Sequence, residues 1–316
     1  MRLVRRILLG LILLLVALTA MLYRTDLSAA DAENRYLTTE SRFITVADTR
    51  IHVRVRGTGP PVVLIHGSFS SLHTWQPWED SLSLKFTTVS MDLPGHGLTG
   101  PDTHGKYSQD HYTEVVFSIA DQLGLDTFTV AGNSMGGNVA YRMALQRPER
   151  ISKLILVDAA GAPSDTSFRL SASADRPFIF TMLANPVMRK ALTRLTPRFL
   201  FKSILKGVFS DPTQISASLV DRYYDLMLRE GNREATALRL GGGRNATPKG
   251  NITCPTLILW GANDQWIPVS VGHRFHEAIP GSTMAIMENT GHVPMEERPA
   301  ESYAIVKEFL ETKTIR

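Results

Sequence analysis

Thr127-Phe-Thr-Val-Ala-Gly-Asn-Ser-Met-Gly-Gly137 sets a β-branched apolar run directly before Gly-x-Ser-x-Gly. From Gly137 the chain continues Asn-Val-Ala-Tyr-Arg-Met-Ala-Leu, with its apolar residues at helical spacing. The order is strand, sharp turn, helix. Small residues, here Gly132 and Gly136, let the two backbones pass closely at such a turn. Ser134, between Asn133 and Met135, is lifted to the N-terminus of the helix, where free N–H groups and a partial positive charge favour an anion. With a strand before it and a helix after it, Ser134 reads as a nucleophile and not only as a cap.

A serine hydroxyl needs a base, and the base needs an orienting acid. Among nine histidines, His292 in Glu288-Asn-Thr-Gly-His-Val-Pro follows the last apolar run and precedes the last helix. That places it in a loop at the C-terminal edge of a sheet, where catalytic groups gather. Asp264, in Trp260-Gly-Ala-Asn-Asp-Gln-Trp, occupies the loop after the preceding run. Asp158, at the end of Leu154-Ile-Leu-Val157, is the rival acid. His273 and His276 fall on a helix, His52 falls on a strand, and His73, His104 and His111 carry no supporting pattern.

The runs Phe43–Val46 and Ile51–Arg56 alternate like a hairpin. Pro61–Ile65, Phe86–Met91, Thr127–Val130, Ile151–Val157, Pro255–Trp260 and Thr283–Met287 are near-continuous apolar strands, as in a parallel sheet covered on both faces. Helical stretches at Tyr107–Leu123, Gly137–Gln146, Val269–Ala278 and Pro299–Leu310 alternate with them. The alternation predicts a doubly wound, mostly parallel sheet led by an antiparallel hairpin. In that fold class the order nucleophile, acid, histidine matches Ser134, Asp264, His292. An oxyanion is then received by the N–H after the nucleophile and one from an early strand-to-helix loop, here Met135 and Ser68. His66 and Gly67 close the strand before Ser68, with His66 bracing the loop. Asp92-Leu-Pro-Gly-His96-Gly reads as turn chemistry at the same edge.

The rhythm breaks between Pro163 and Pro248. Pro186–Leu195, Arg198–Val208, Pro212–Arg229 and Arg233–Leu240 look helical, with Asp211 as an N-cap, so residues 163–247 read as an inserted helical lid. Gly241-Gly-Gly243 would be its flexible return. Phe168, Phe178, Phe180, Met182, Phe199, Phe201 and Phe209 supply an apolar underside, Trp266 is a further lining residue, and Arg189, Lys190, Arg194, Arg198, Lys202 and Lys206 form a basic face. The α/β core is expected over 41–162 and 248–316.

Ahead of it, basic Met1–Arg6 precedes an uncharged apolar stretch from Ile7 to Tyr23, near the ~17-residue lower limit for a membrane-spanning helix. Residues 1–24 are read as an uncleaved anchor. Arg24 and Asp26 separate the small residues Ser28-Ala29-Ala30 from the apolar core; a cleaved signal and secretion are the alternative. Arg2, Arg5 and Arg6 would keep the N-terminus cytoplasmic and the catalytic domain on the far side. Residues 25–40 read as a polar linker.

Within 316 residues there is room for one large domain with an insertion. Lys and Arg number 34 against 30 Asp and Glu, a net +4, and no basic run interleaved with aromatics points to nucleic acid. The single cysteine, Cys254, excludes an internal disulfide. No metal-spaced ligand set is evident, and no cofactor is expected.

Leu64-Ile-His-Gly, Met91-Asp-Leu-Pro-Gly-His-Gly, Gly132-Asn-Ser-Met-Gly-Gly, Trp260-Gly-Ala-Asn-Asp and Gly291-His292 together resemble the α/β-hydrolase superfamily, in its lid-bearing serine-hydrolase branch. The resemblance implies a hydrolase acting on a small acyl substrate. Serine at the elbow departs from the aspartate of relatives similar to haloalkane dehalogenases and epoxide hydrolases. The elbow is similar to that of hydrolases that cleave carbon–carbon bonds of ring-fission products; Arg176, Arg189 and Arg194 would then hold a dienoate, whereas Val293-Pro294-Met295 replaces the aromatic residue usual after their histidine. The expectation is carboxylic ester hydrolysis of lipophilic acyl compounds. Carbon–carbon bond hydrolysis is the alternative, and a slow-turnover ligand-binding or signalling protein is the alternative from another class. The sequence leaves the oligomeric state open.

Overall fold

The computed structural model describes residues 2–163, 185–241 and 246–312. Eight strands form one sheet: β1 (Ser41–Val46), β2 (Thr49–Arg56), β3 (Pro61–Ile65), β4 (Thr87–Met91), β5 (Phe128–Asn133), β6 (Ile151–Val157), β7 (Thr256–Gly261) and β8 (Thr283–Met287). Their order is β1-β2-β4-β3-β5-β6-β7-β8, antiparallel at β1/β2 and β2/β4 and parallel elsewhere. The expected hairpin and doubly wound sheet are both present.

Side chains alternate between two cores because a strand's faces repeat every second residue. Val63, Ile65, Val130, Leu154 and Ile258 join the core under the helices Gln109–Gln122, Met135–Gln146 and Val269–Ala278. Val62, Leu64, Ala131, Ile155 and Leu257 join the other, under Gln76–Leu82 and Pro299–Glu311. With both faces covered, all six residues of β5 and of β7 are buried, which is why these strands read as unbroken apolar runs. The chain runs from β3 outward to β4 and then returns to β5 on the other side of β3. The crevice outside the carboxyl ends of β3 and β5 is therefore the topological switch point.

Between β6 and β7 the described residues hold four helices, Pro186–Leu192, Arg198–Val208, Ala217–Leu228 and Asn232–Gly241. The first ends earlier than its periodicity predicts, because Leu195 bridges to Tyr23 and the Arg194 carbonyl accepts the Arg24 N–H at 3.0 Å. The third is two pieces: Asp211 caps a 3₁₀ turn, Pro212–Gln214, and Ser216 caps the helix proper. Phe201 and Phe209 are buried, but Phe199, expected underneath, is 64% exposed. Phe168, Arg176, Phe178, Phe180, Met182, Gly242 and Gly243 lie outside the described residues.

At the N-terminus, Arg2–Leu22 is one helix, and its segment Val4–Leu22 is long and apolar enough to cross a membrane. The stretch after Leu22, read as a polar linker, contains regular structure and packs on the insertion. Ala29–Tyr36 is a helix whose N-cap Ser28 accepts the Asp31 N–H at 3.0 Å. Leu27 donates to Leu228 and accepts from Glu230, both at 2.8 Å. Arg233 donates to Asp26 Oδ1 at 2.6 and 3.0 Å and to the Arg24 carbonyl at 2.9 Å. Asp225 accepts from Arg35 and Tyr36. The residues read as a polar linker partner an insertion some 200 residues away in sequence, at separations up to 209.

Candidate active site

At the end of β5, Ser134 adopts φ 53° and ψ −115°, a strained conformation for a residue with a side chain. Its N–H donates to the Val157 carbonyl at 3.0 Å, and its carbonyl accepts from Asn138 and Ala160. The closeness of strand and helix accounts for the glycines: a Cβ on Gly132 would lie 2.2 Å from the Gly136 carbonyl oxygen, and one on Gly136 would lie 2.1 Å from that of Ile65. The main-chain N–H groups of Ser68 and Met135 donate to no described backbone carbonyl. Gly67 brings its loop against the nucleophile, since a Cβ there would meet Ser134 Cβ at 3.0 Å.

His292 and Asp264 meet directly. Nδ1 of the buried imidazole lies 2.6 Å from Asp264 Oδ2, while Asp264 Oδ1 accepts from the N–H groups of Trp266 and Ile267 at 2.7 and 3.0 Å. A neutral imidazole donating from Nδ1 keeps its lone pair on Nε2, and His292 Nε2 is buried with no hydrogen-bond partner. Ser134 Oγ makes no hydrogen bond to it, so the structure joins two of the three expected residues directly and brings the third up through its neighbour. Asn133 Nδ2 donates to the His292 carbonyl at 2.9 Å and to that of Val157 at 3.2 Å. Trp266 stacks on the His292 ring at 5.6 Å between centroids and meets Phe69 edge to face.

The rival acid, Asp158, does not touch the histidine. It is fully buried behind Asp264, its Oδ1 accepting the Gly261 N–H at 2.9 Å and its carboxyl group hydrogen-bonded to that of Asp264. Burial, and then the nearby Asp264 carboxylate, push its pKa well above the usual carboxylate range. Asp158, Asp264 and His292 each bring a ligand atom within 4.8 Å of the others, a spacing a cation would accept. The chemistry fits poorly, because burial and Asp264 disfavour an anionic oxygen on Asp158 and the oxygens of Asp264 already accept three N–H groups.

Around this centre the loops are held by groups the sequence singled out for bracing. His66 Nδ1 donates to the Gly67 carbonyl at 2.7 Å, and its Nε2 accepts the Leu93 N–H at 3.0 Å. Burial lowers its pKa, so it stays neutral. Asp92 accepts the N–H groups of Leu72 and Leu98 and pairs with His52 at 2.7 Å. Burial alone would raise the Asp92 pKa, but the charge and hydrogen bond of His52 outweigh it and hold it far below the usual range. His273 and His276 are exposed on their helix. Cys254 is half-buried, and burial pushes its thiol up to about 11.

Two fastenings escaped the sequence. Glu297 Oε2 accepts the Gly291 N–H at 2.6 Å and its Oε1 that of Asp211 at 2.8 Å, and the Val208 carbonyl accepts the His292 N–H at 2.8 Å. The insertion and the His292 loop thus share one buried carboxylate. Glu296, whose side chain is only 5% exposed, accepts from Tyr223 at 2.6 Å. Neither residue sits in a motif, and nothing local distinguishes them from the acidic first turn of an ordinary helix.

Residues 60–299 match the α/β hydrolase fold family. An uncharacterized protein of Mycobacterium tuberculosis is 30% identical over 278 residues, covering 86% of this chain and 81% of its own. A 2-hydroxy-6-oxononadienedioate/2-hydroxy-6-oxononatrienedioate hydrolase of Cupriavidus pinatubonensis is 29% identical over 291 residues, covering 85% and 95%. The solved structure of a membrane phospholipase A, a bacterial virulence factor, superposes with TM-score 0.71 at 27% identity and covers 97% of this chain and 98% of its own. With the strand–elbow–helix geometry and the sheet order in agreement, the chain belongs to the α/β-hydrolase family and is an enzyme of the hydrolase class.

Proposed function

We propose that the protein is a membrane-held serine hydrolase that cleaves carboxylic esters of lipophilic acyl compounds, acyl esters of membrane lipids among them. Ser134 Oγ attacks the acyl carbon as His292 Nε2 takes its proton, and Asp264 holds the imidazolium. The N–H groups of Ser68 and Met135 receive the oxyanion, each aimed donor being worth ~3 kcal/mol of barrier. His292 then protonates the departing alcohol, and a water deprotonated by His292 releases the acid. The observation that carries this reading is the imidazole whose Nδ1 is committed to Asp264 while Nε2 stays buried and unpartnered beside the elbow. The serine–histidine bond closes when substrate seats, as such bonds commonly do.

The membrane half of the reading rests on Val4–Leu22 and on the contacts that residues 24–36 make with the insertion. Cleavage after Ala30 would cut the helix Ala29–Tyr36 and remove the Leu27 and Asp26 contacts with the insertion, which supports an uncleaved anchor. Arg2, Arg5 and Arg6 orient it with the N-terminus cytoplasmic and the catalytic domain outside. The likeness to a membrane phospholipase along nearly the whole chain supports a lipid substrate.

Carbon–carbon bond hydrolysis is the second reading, favoured by the 29% identical ring-fission hydrolase. The test is hydrolysis of p-nitrophenyl esters from acetate to palmitate by the full chain in detergent micelles, beside Ser134→Ala. Turnover abolished by the substitution supports the ester mechanism. No turnover on any ester, with hydrolysis of a coloured vinylogous diketone acid, overturns it for the second reading.

A further inference from the structure

Arg239 lies on the helix Asn232–Gly241 and reaches the loop that carries the proposed oxyanion donor. Its Nη1 donates to Ser68 Oγ at 3.1 Å, and Ser68 Oγ in turn lies 3.5 Å from Met135 Sδ, next to the nucleophile. Its Nε and Nη2 are buried and make no hydrogen bond. Around the guanidinium stand Ser68, the Phe69 ring at 5.8 Å, the buried imidazoles of His66 and His96, and the Tyr112 phenol. None is an anion at neutral pH: burial holds both imidazoles in their neutral form and raises the phenol's pKa. Among the described residues no carboxylate pairs with Arg239, whereas the buried Arg54, Arg142 and Arg233 each have one, in Glu79, Asp110 and Asp26.

A guanidinium stays charged at any physiological pH, and burying it unpaired is strongly unfavourable. The two empty donors are moreover the pair on one edge of the guanidinium, the fork that grips two oxygens of a carboxylate or phosphate in parallel. We propose that the Nε/Nη2 edge of Arg239 is the seat for an anionic oxygen group of the substrate, held beside the Ser68 side of the site while the acyl carbon meets Ser134. The substrate is thereby assigned as an amphiphile with one anionic group, either the phosphate of a lipid headgroup or a free carboxylate. This rests on the serine-hydrolase reading above for its orientation, and on the guanidinium alone for its binding chemistry.

The test is titration of the full-length Ser134→Ala protein in uncharged detergent with octyl phosphate, octanoate and octanol, monitored by calorimetry. At least one anion is expected to bind tenfold or more tighter than octanol, with Arg239→Met removing the difference and Arg239→Lys retaining part of it. The tighter anion identifies the group: octyl phosphate a lipid phosphate, octanoate a carboxylate-bearing substrate. Equal binding of anions and alcohol overturns the proposal, as does a preference that survives Arg239→Met. Should Arg239→Met fail to fold, the comparison of anions with alcohol and the Arg239→Lys titration still decide. Binding needs no turnover, so an anion preference in a protein inactive on all esters would sink the ester reading and leave Arg239 standing. Ester turnover without the preference would do the reverse.

Discussion

The side-chain amide of Asn133 donates to the main-chain carbonyl of His292 at 2.9 Å across 159 positions of sequence, so the residue before the proposed nucleophile holds the proposed base in register with it. Asn133→Ala removes this bond and the one to Val157 and leaves a buried carbonyl short of a partner, at about 1–3 kcal/mol. A kcat lowered at least tenfold with a smaller change in KM is expected, because a displacement of ~1 Å at a reacting group costs on the order of 100-fold. Thermal unfolding and ester kinetics of the same preparation check both. An unchanged kcat would mean that the loop is placed by other contacts.

The two buried aspartates answer differently to the same substitution. Asp264→Asn reverses the donor–acceptor match to His292 and should cost on the order of 10⁴ in kcat. Asp158→Asn keeps an acceptor for Gly261 N–H and offers an N–H where the acid's proton was, so activity should stay within about tenfold. If Asp158→Asn is as inactive as Asp264→Asn, the assignment of the acid is wrong.

Stability should carry opposite pH signatures from Asp158 and Asp92. The pKa of Asp158 is raised by burial and by Asp264, so its contribution is fully present below the unfolded carboxyl value of ~3.9 and is lost as pH climbs through its folded pKa. Asp92 is depressed against burial by His52, so its contribution is present above ~3.9 and disappears as pH falls through its folded pKa. Denaturant melts across pH should show Asp158→Asn gaining on the parent at the alkaline end, and Asp92→Asn losing its deficit at the acid end.

Glu297→Ala frees the Gly291 and Asp211 N–H groups together, each a hydrogen bond to a charged group worth about 1.5–3 kcal/mol. Hydrogen exchange should quicken in two places at once, the His292 loop and the turn after the helix Arg198–Val208. Faster exchange in only one of them would show that Glu297 does not link them.

Arg233 is buried, and its fork on Asp26 fastens the segment after the apolar helix to the insertion. Asp26→Ala leaves that guanidinium short of its carboxylate, and about 3–5 kcal/mol is expected for a fully buried pair, less here because Asp26 is partly exposed. Limited trypsin digestion of the full chain in micelles should then cut at Arg24 or Arg35. Resistance equal to the parent would place the fastening elsewhere.

How much of this was legible in the sequence depends on the range of the forces involved. The eight strands, the elbow with Gly132 and Gly136, and the His292 and Asp264 loops could be read because their signals are local: a run buried on both faces, a turn only glycine permits, a polar residue just past a strand end. Asp158 against Asp264 could not be separated that way, since both end neighbouring strands, and only the tertiary structure put Nδ1 of His292 on one and buried the other behind it. The same holds for the stretch after Leu22, which reads as a polar linker until Asp225, Leu228 and Arg233 are folded against it. Glu297 and Arg239 are ordinary helical residues in sequence. Their meaning comes from burial, which makes a shared carboxylate a clasp and an unpaired guanidinium a seat for an anionic group, and burial is a property of the packed chain.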